Sequence, residues 1–204
     1  MNTTLFDLLA NKTFTYCDVV RIMKALGKEF IDDSPVSYAA IAAALGENIH
    51  SLIRLLNGRQ IEWLRIYILH CAIRVRYLIA EPCVMQLLDD LNQYRRKKTY
   101  DVALKPFDEY LERLRQRRVA AAEELVEPGL RRRIGLETFV ADTVRHAADA
   151  ILGETDNDLI LIAESASDSA WRAVQLADGE VGAASERKRQ VEDFKKFLSS
   201  MVVV

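Results

Sequence analysis

The sequence predicts an all-α protein. It contains only 8 glycines and 4 prolines in 204 residues, of which 50% are hydrophobic and 28% are charged. The chain is rich in Ala, Leu, Arg and Glu, which favour helix, and it is poor in residues that interrupt one. We therefore expect about 9–10 helices, arranged either as a compact bundle or as a stack of helical hairpins of the armadillo or HEAT kind.

Two short helices are predicted near the start of the chain. Thr3 or Thr4 can cap the first, "LFDLLANK", because a threonine hydroxyl accepts from the free amides of a helix start. Thr15 can cap the second, "YCDVVRIMKALGKEF", in the same way. The second helix carries an apolar stripe at helical spacing, formed by Val19, Val20, Met23 and Leu26.

Residues 37–58, "SYAAIAAALGENIHSLIRLLNG", have the outline of two short helices joined at a glycine. This outline fits a DNA-reading helix-turn-helix and also a buried helical hairpin. A reading helix presents several polar side chains to base edges. The second helix here carries five large apolar residues, namely Ile49, Leu52, Ile53, Leu55 and Leu56. We therefore expect a core hairpin, and a DNA-binding regulator is the alternative.

Residues 60–80 are predicted to form the central helix of the fold, because the segment is apolar on nearly all sides. The exceptions are Arg65, Arg74 and Arg76. The core side chains are predicted to be Ile66, Leu69, Ala72, Ile73 and Leu78. Glu81-Pro82 ends this helix, and Pro82 begins the next one, since proline is tolerated in the first turn of a helix.

The second half of the chain reads as long helices separated by one clear break. An amphipathic helix is predicted over residues 101–126, and Pro128-Gly129 then interrupts the chain. We expect residues 130–135, "LRRRIG", to be a polar connector. Three further helices, all dotted with alanine, are predicted at about 136–152, 157–178 and 183–200.

The break divides the chain into an N-terminal helical region, 1–127, and an acidic C-terminal region, 128–204, which we expect to pack as one domain. Residues 138–204 carry 12 acidic and 7 basic side chains, although the whole chain has a net charge of −2. A concentrated acidic surface favours a basic partner. The predicted partner-binding set is Asp142, Asp149, Glu154, Asp156, Asp158, Glu164 and Asp168. A merely solvated face is the alternative.

Three basic clusters precede the acidic residues 138–204 in the sequence, at residues 94–98, 113–118 and 130–135. The last contains three consecutive arginines, residues 131–133. Acidic residues are interleaved with these clusters, and arginine-rich helix faces are usually solvated. Contact with nucleic acid through them is the less favoured interpretation.

No residue pattern specifies a reaction, a metal or a cofactor. The histidines and cysteines form no HExxH or CxxC spacing, and no GxxxxGK[ST], GxGxxG or GxSxG motif occurs. We therefore expect a protein that is not an enzyme and needs no cofactor. Three dispersed cysteines, no signal-peptide pattern and no long apolar run predict a cytoplasmic protein without a membrane span.

Three stretches resemble a group of Ala- and Trp-rich bacterial and phage proteins. They are "PVSYAAIAAALG" (35–46), "LRIYILHCAIRVRYLIAEPCVMQLLD" (64–89) and "ERKRQVEDFKKFL" (186–198). Such proteins are similar to the all-α immunity proteins encoded beside toxins of bacterial polymorphic toxin systems. The resemblance implies a protein that binds and neutralises a toxin, and it brings no catalytic residues with it.

The functional prediction is a non-catalytic protein-binding module, acting as an immunity protein that occludes its cognate toxin. A toxin that cuts nucleic acid tends to have a basic cleft, which an acidic helical face would complement. One alternative is a helix-turn-helix regulator that uses residues 37–58. A second is a phage or mobile-element accessory protein that acts on a host protein. The oligomeric state is left open.

Overall fold

The computed structural model describes residues 2–10, 14–46, 48–55, 61–97, 102–123, 126–153 and 158–200. This described part contains nine α-helices, one 3₁₀ turn and one pair of two-residue strands. The all-α prediction is confirmed. A repeating stack of hairpins is not.

The helices are α1 (Leu5–Ala10), α2 (Tyr16–Ala25), α3 (Tyr38–Leu45), α4 (Ile49–Arg54), α5 (Ile61–Arg74), α6 (Pro82–Lys97), α7 (Lys105–Glu123), α8 (Pro128–Leu152) and α9 (Leu159–Ser200). The 3₁₀ turn, Arg76–Leu78, follows α5. Strands β1 (Asn2–Thr3) and β2 (Val36–Ser37) pair antiparallel. The sequence did not predict this pair, because two residues are too few to show the alternation of a strand.

The chain divides into two compact units. Unit 1 comprises residues 1–61 and 187–204, and unit 2 comprises residues 62–186. The break predicted at Pro128-Gly129 lies inside unit 2, where Pro128 occupies the first turn of α8. Proline suits this position because its missing N–H would be unpaired there in any case. The predicted connector 130–135 is therefore wrong, since those residues are helical.

Side-chain caps set the helix starts of unit 1. The Thr15 hydroxyl accepts from the Asp18 amide and the Asp18 carboxylate accepts from the Thr15 amide, forming a capping box at the start of α2. Ser37 caps α3 by accepting from the Ala40 amide at 3.1 Å. The apolar stripe of α2 is only partly as predicted. Val19 and Ile22 are buried, whereas Val20, Met23 and Leu26 are half-buried.

The segment predicted as a core hairpin has α3 and α4 in its described part, while residues 47 and 56–58 lie outside the described residues. α3 packs against α2 and α4. Of the six residues of α4, four are buried, namely Ile49, Ser51, Leu52 and Ile53. A helix buried to this extent has too little free surface to read bases in a groove. The geometry therefore favours the hairpin.

Helix α5 is shorter and less central than the sequence predicted for residues 60–80. It ends at Arg74, before the 3₁₀ turn. Leu69 and Ala72 are buried as predicted, but Ile66 and Leu78 are half-buried and Ile73 is 36% exposed. The burial of Ile66, Ile73 and Leu78 was predicted wrongly because, in a helix that is apolar on almost every side, the sequence does not mark which face meets the core.

Unit 2 is organised around α8, which packs against α6 and α7. Its buried face consists largely of small side chains, which allow neighbouring helices to approach closely: Ala141, Ala147, Ala148 and Ala150. The break predicted over residues 178–182 is confined to Gly179, whose φ of 74° is non-helical within α9. Such a positive φ is open to glycine at little cost.

A buried ion pair links α5 to the later part of α9 within unit 2. Arg74 Nε donates to Glu186 Oε1 at 2.9 Å, and the two side chains are 13% and 3% exposed. The Arg74 guanidinium also lies 3.2 Å from Cys71 Sγ and 5.9 Å from the centre of the Tyr67 ring. Burial raises the pKa of Cys71, so this thiol stays neutral beside the ion pair.

Replacing Leu52 with Ala should lower the free energy of unfolding by about 2–5 kcal/mol, because the side chain has no exposed surface. The matched control is Leu161→Ala, which makes the same change at an exposed position and should cost less than about 0.5 kcal/mol. Urea unfolding followed by far-ultraviolet circular dichroism measures both. Equal effects of the two substitutions would contradict the placement of α4 in the core.

Replacing Glu186 with Gln should destabilise the protein by about 3–5 kcal/mol, because it leaves a buried guanidinium without its counter-charge. The double variant Arg74→Met, Glu186→Leu should recover much of this loss, since neither charge then remains to be desolvated. The same urea experiment measures both proteins. A Glu186→Gln protein as stable as the wild type would show that the pair is not buried in solution.

Candidate functional site

The acidic side chains predicted to bind a partner do not all lie on one open face. Asp142 and Asp149 are half-buried on α8. Asp158 is exposed at the start of α9, whereas Glu164 and Asp168 are half-buried further along it. The remaining two predicted residues, Glu154 and Asp156, lie outside the described residues.

Two of these carboxylates are compensated within the protein. Arg145 bridges α8 and α7, because its Nε is 2.9 Å from Asp149 Oδ1 and its Nη1 is 2.6 Å from Asp108 Oδ1. Burial raises the pKa of Asp142, and the nearby charges of His146, Arg118 and Arg115 oppose that rise. Asp142 and Asp149 therefore already interact with charges of this chain, which weakens the argument for a basic partner at this surface.

Helices α7 and α8 run in opposite directions. Arg117 Nη1 lies 2.8 Å from Glu137 Oε2, and Arg145 near the end of α8 reaches back to Asp108 near the start of α7. Two basic clusters that are separate in the sequence, 113–118 and 130–135, therefore meet at one end of the helix pair. Residues 113–133 contain seven arginines and three glutamates.

A groove of about 370 Å³ opens at this end. We call it the arginine groove, and its lining residues are Arg118, Ala121, Ala122, Arg131, Ile134, Gly135, Thr138 and Phe139. Arg118 and Arg131 are exposed, whereas Ala121, Ile134 and Thr138 are buried. The groove thus combines charged walls with a floor of small and apolar groups.

The floor of the groove is held by contacts to α9. Arg132 Nε donates to the Leu176 carbonyl at 2.7 Å, and a Cβ at Gly135 would lie 3.3 Å from Leu176 Cδ1. The Arg172 guanidinium lies 5.5 Å from the centre of the Phe139 ring, which is within the range of a cation–π contact. These contacts fix the N-terminal half of α8, where the sequence predicted a polar connector over residues 130–135.

The sequence did not predict this groove, because each arginine cluster on its own has the pattern of a solvated helix face. The signal was present in small residues that leave room beside the arginines, namely Ala120–Ala122 between the two clusters and Gly135 at the end of the second. The third basic cluster, 94–98, does not line the groove. Its Arg95 is half-buried on α6, and Lys98 lies outside the described residues.

Comparison with known proteins adds no relative. No protein-family model matches the chain, and neither a curated protein nor a solved structure matches it. Among the described residues, no group of three or more His, Cys, Asp or Glu side chains is placed to hold a metal ion. None of the described helices combines the length and apolarity that a membrane span requires.

His146 makes stability depend on pH, because burial lowers its pKa below the value of 6.5 for a free histidine, against the attraction of Asp142 and Asp149. The unfolded chain therefore takes up the proton more readily as pH falls through that value, so stability is lost on the acid side. His146→Gln should reduce the stability lost between about pH 7.5 and pH 5.5. Urea unfolding at both pH values measures this, and an unchanged loss would contradict the burial of the imidazole.

Proposed function

We propose that the protein is a binding module that acts through protein–protein contact, with the arginine groove as its contact surface. The observation that carries the proposal is the pairing of two exposed guanidinium groups, Arg118 and Arg131, across an apolar floor. Solvated arginine faces have no such floor between the charges. Arginine beside apolar area is characteristic of the fully buried parts of protein interfaces.

The chemistry of the groove favours an acidic segment of a partner. A guanidinium donates two parallel hydrogen bonds to a carboxylate, which gives both strength and direction. The floor, with Ala121, Ile134 and Phe139, can accept an apolar side chain from the same segment. A segment with carboxylates on either side of one apolar residue would therefore satisfy both parts of the groove.

Nucleic acid is less well matched to this surface. The arginine groove carries two guanidinium groups in a protein of net charge −2, whereas binding to phosphates usually needs many basic contacts and a net attraction. Neighbouring arginines are also engaged, since Arg117 and Arg133 both pair with Glu137. These features favour selective contact with a protein over general binding to a polyanion.

The resemblance to immunity proteins supplies the first partner class to test, a toxin domain encoded beside this chain. In that role the groove would hold an acidic segment of the toxin, so that the bulk of the helical protein covers the toxin's active site. This proposal departs from the expected basic partner, because Asp142 and Asp149 interact with charges of the chain itself.

The test is binding of the neighbouring gene product to the wild type and to the variant Arg118→Glu, Arg131→Glu. We expect affinity to fall about 30-fold or more, because losing a hydrogen-bonded charge pair at an interface costs about 2 kcal/mol or more. The variant should remain folded, since Arg118 and Arg131 are exposed. Isothermal titration calorimetry or a surface-based biosensor can measure the affinity at two salt concentrations.

Two control variants sharpen the result. Lys188→Glu with Arg189→Glu reverses two exposed charges of the same sign elsewhere on the chain and should leave binding unchanged. Asp158→Lys reverses an exposed member of the predicted acidic set. If Asp158→Lys weakens binding and the groove variant does not, the contact surface is the acidic set. Salt-sensitive binding of duplex DNA that depends on the groove arginines would favour a nucleic-acid partner instead.

A further inference from the structure

A short acidic segment of this chain lies open to solvent at the break in α9. Asp178, Glu180 and Val181 are grouped around Gly179, whose φ of 74° and ψ of −164° are non-helical. All three side chains are exposed, and Val181, at 84%, has the largest exposed fraction of the large hydrophobic residues that the structure describes. We call residues 178–181 the kink segment. It carries two carboxylates and one apolar side chain.

Neutral donors hold the two carboxylates of the kink segment. Asp178 Oδ2 accepts from the Tyr77 hydroxyl at 2.6 Å, and Glu180 Oε1 accepts from the Gln175 side-chain amide at 2.8 Å. Within the described part of the chain, neither carboxylate forms an ion pair. The two groups are therefore oriented by the protein without being paired to one of its own cations.

The kink segment borders the arginine groove. Leu176, two residues before Asp178, contacts the first half of α8. Its carbonyl accepts from Arg132 Nε at 2.7 Å, and its Cδ1 atom lies 3.3 Å from the position that a Cβ at Gly135 would take. The described lining residues of the groove include Gly135 and no member of the kink segment. The segment thus lies beside the groove of its own chain and does not fill it.

The chemistry of the kink segment is complementary to that of the groove. The groove presents two exposed guanidinium groups, Arg118 and Arg131, and an apolar floor between them. A guanidinium binds a carboxylate through two parallel hydrogen bonds, so the two carboxylates of one segment can engage both arginines. The side chain of Val181 can then cover the floor, and its removal from water adds a hydrophobic contribution.

We infer that the arginine groove binds the kink segment of a second copy of this chain. Because segment and groove adjoin in each copy, two copies that face each other can form both contacts about a two-fold axis. Each copy then supplies one segment and receives one, which closes the assembly as a dimer. This inference rests on the groove being a protein contact surface, as proposed above. An acidic segment of another protein would compete with the second copy for it.

The test is sedimentation velocity of the full-length protein alone, from micromolar to millimolar concentration. We expect a monomer–dimer equilibrium that weakens as salt is added. The kink variant Asp178→Lys, Glu180→Lys and the groove variant Arg118→Glu, Arg131→Glu should each raise the dissociation constant about 30-fold or more, because both contacts of the dimer then bring like charges together.

Mixing the two variants gives the sharpest result. In a mixed dimer, the lysines of the kink variant meet the glutamates of the groove variant, and the unchanged segment meets the unchanged groove. Both contacts then join opposite charges, so we expect the mixture to form a dimer at concentrations where each variant alone is monomeric. Misfolding of either variant could not produce this recovery.

The apolar part of the contact is tested separately. Val181→Ser should raise the dissociation constant of the dimer several-fold, because it removes the apolar side chain that covers the floor. The matched control is Leu161→Ser, which makes a similar change at another exposed position of α9 and should leave the dimer unchanged. Both side chains are exposed, so urea unfolding should be nearly the same for the two variants and the wild type.

The inference is overturned if the protein stays monomeric up to millimolar concentration, or if neither charge reversal weakens the dimer. A mixture of the variants without a dimer, or assemblies of more than two copies, would also overturn it. Self-association and binding of the neighbouring gene product are separate measurements. If only binding of the gene product depends on Arg118 and Arg131, the proposed function stands and the dimer is refuted. If only self-association depends on them, the reverse holds.

Discussion

The buried contact between Arg74 and Glu186 constrains how unit 2 is assembled. Two charges removed from water cost several kcal/mol unless they meet with good geometry, and these two are 112 residues apart in the chain. The end of α5 and the later part of α9 must therefore keep one register. Gly179 lies seven residues before Glu186, and its positive φ provides the local change of direction within α9. Tyr67 and Cys71 also lie beside the guanidinium.

Within unit 2, α8 carries many of the charged side chains of the candidate functional surfaces. Its alanine-rich face packs against α6 and α7, and this leaves its other positions to carry charge. From its N-terminus to its C-terminus, the helix supplies Arg131 to one wall of the arginine groove, Glu137 to the two arginines Arg117 and Arg133, and then the compensated acids Asp142 and Asp149. The arginine groove depends on the close packing of α7 against α8.

The sequence was most informative where local chemistry decides the structure. Thr15 and Pro82 mark helix starts because the reasons for their placement lie within a few residues. The sequence was least informative for α5, where nearly uniform apolarity gives no indication of which helix face is buried and which is exposed. The arginine groove could not be predicted, because it depends on the antiparallel packing of α7 and α8. No periodicity in a single segment carries that information.

The net charge of a segment differs from the charge that a partner meets, and the acidic third of this chain shows why. Residues 138–204 carry five more acids than bases, from 12 acidic and 7 basic side chains. Yet Glu186 is buried against Arg74 and Asp149 is paired with Arg145. Conversely, Arg118 and Arg131 stay exposed around an apolar floor. In a protein of overall negative charge, long-range attraction of polyanions is weak, so two such arginines favour a partner whose carboxylates and apolar side chain fit at short range.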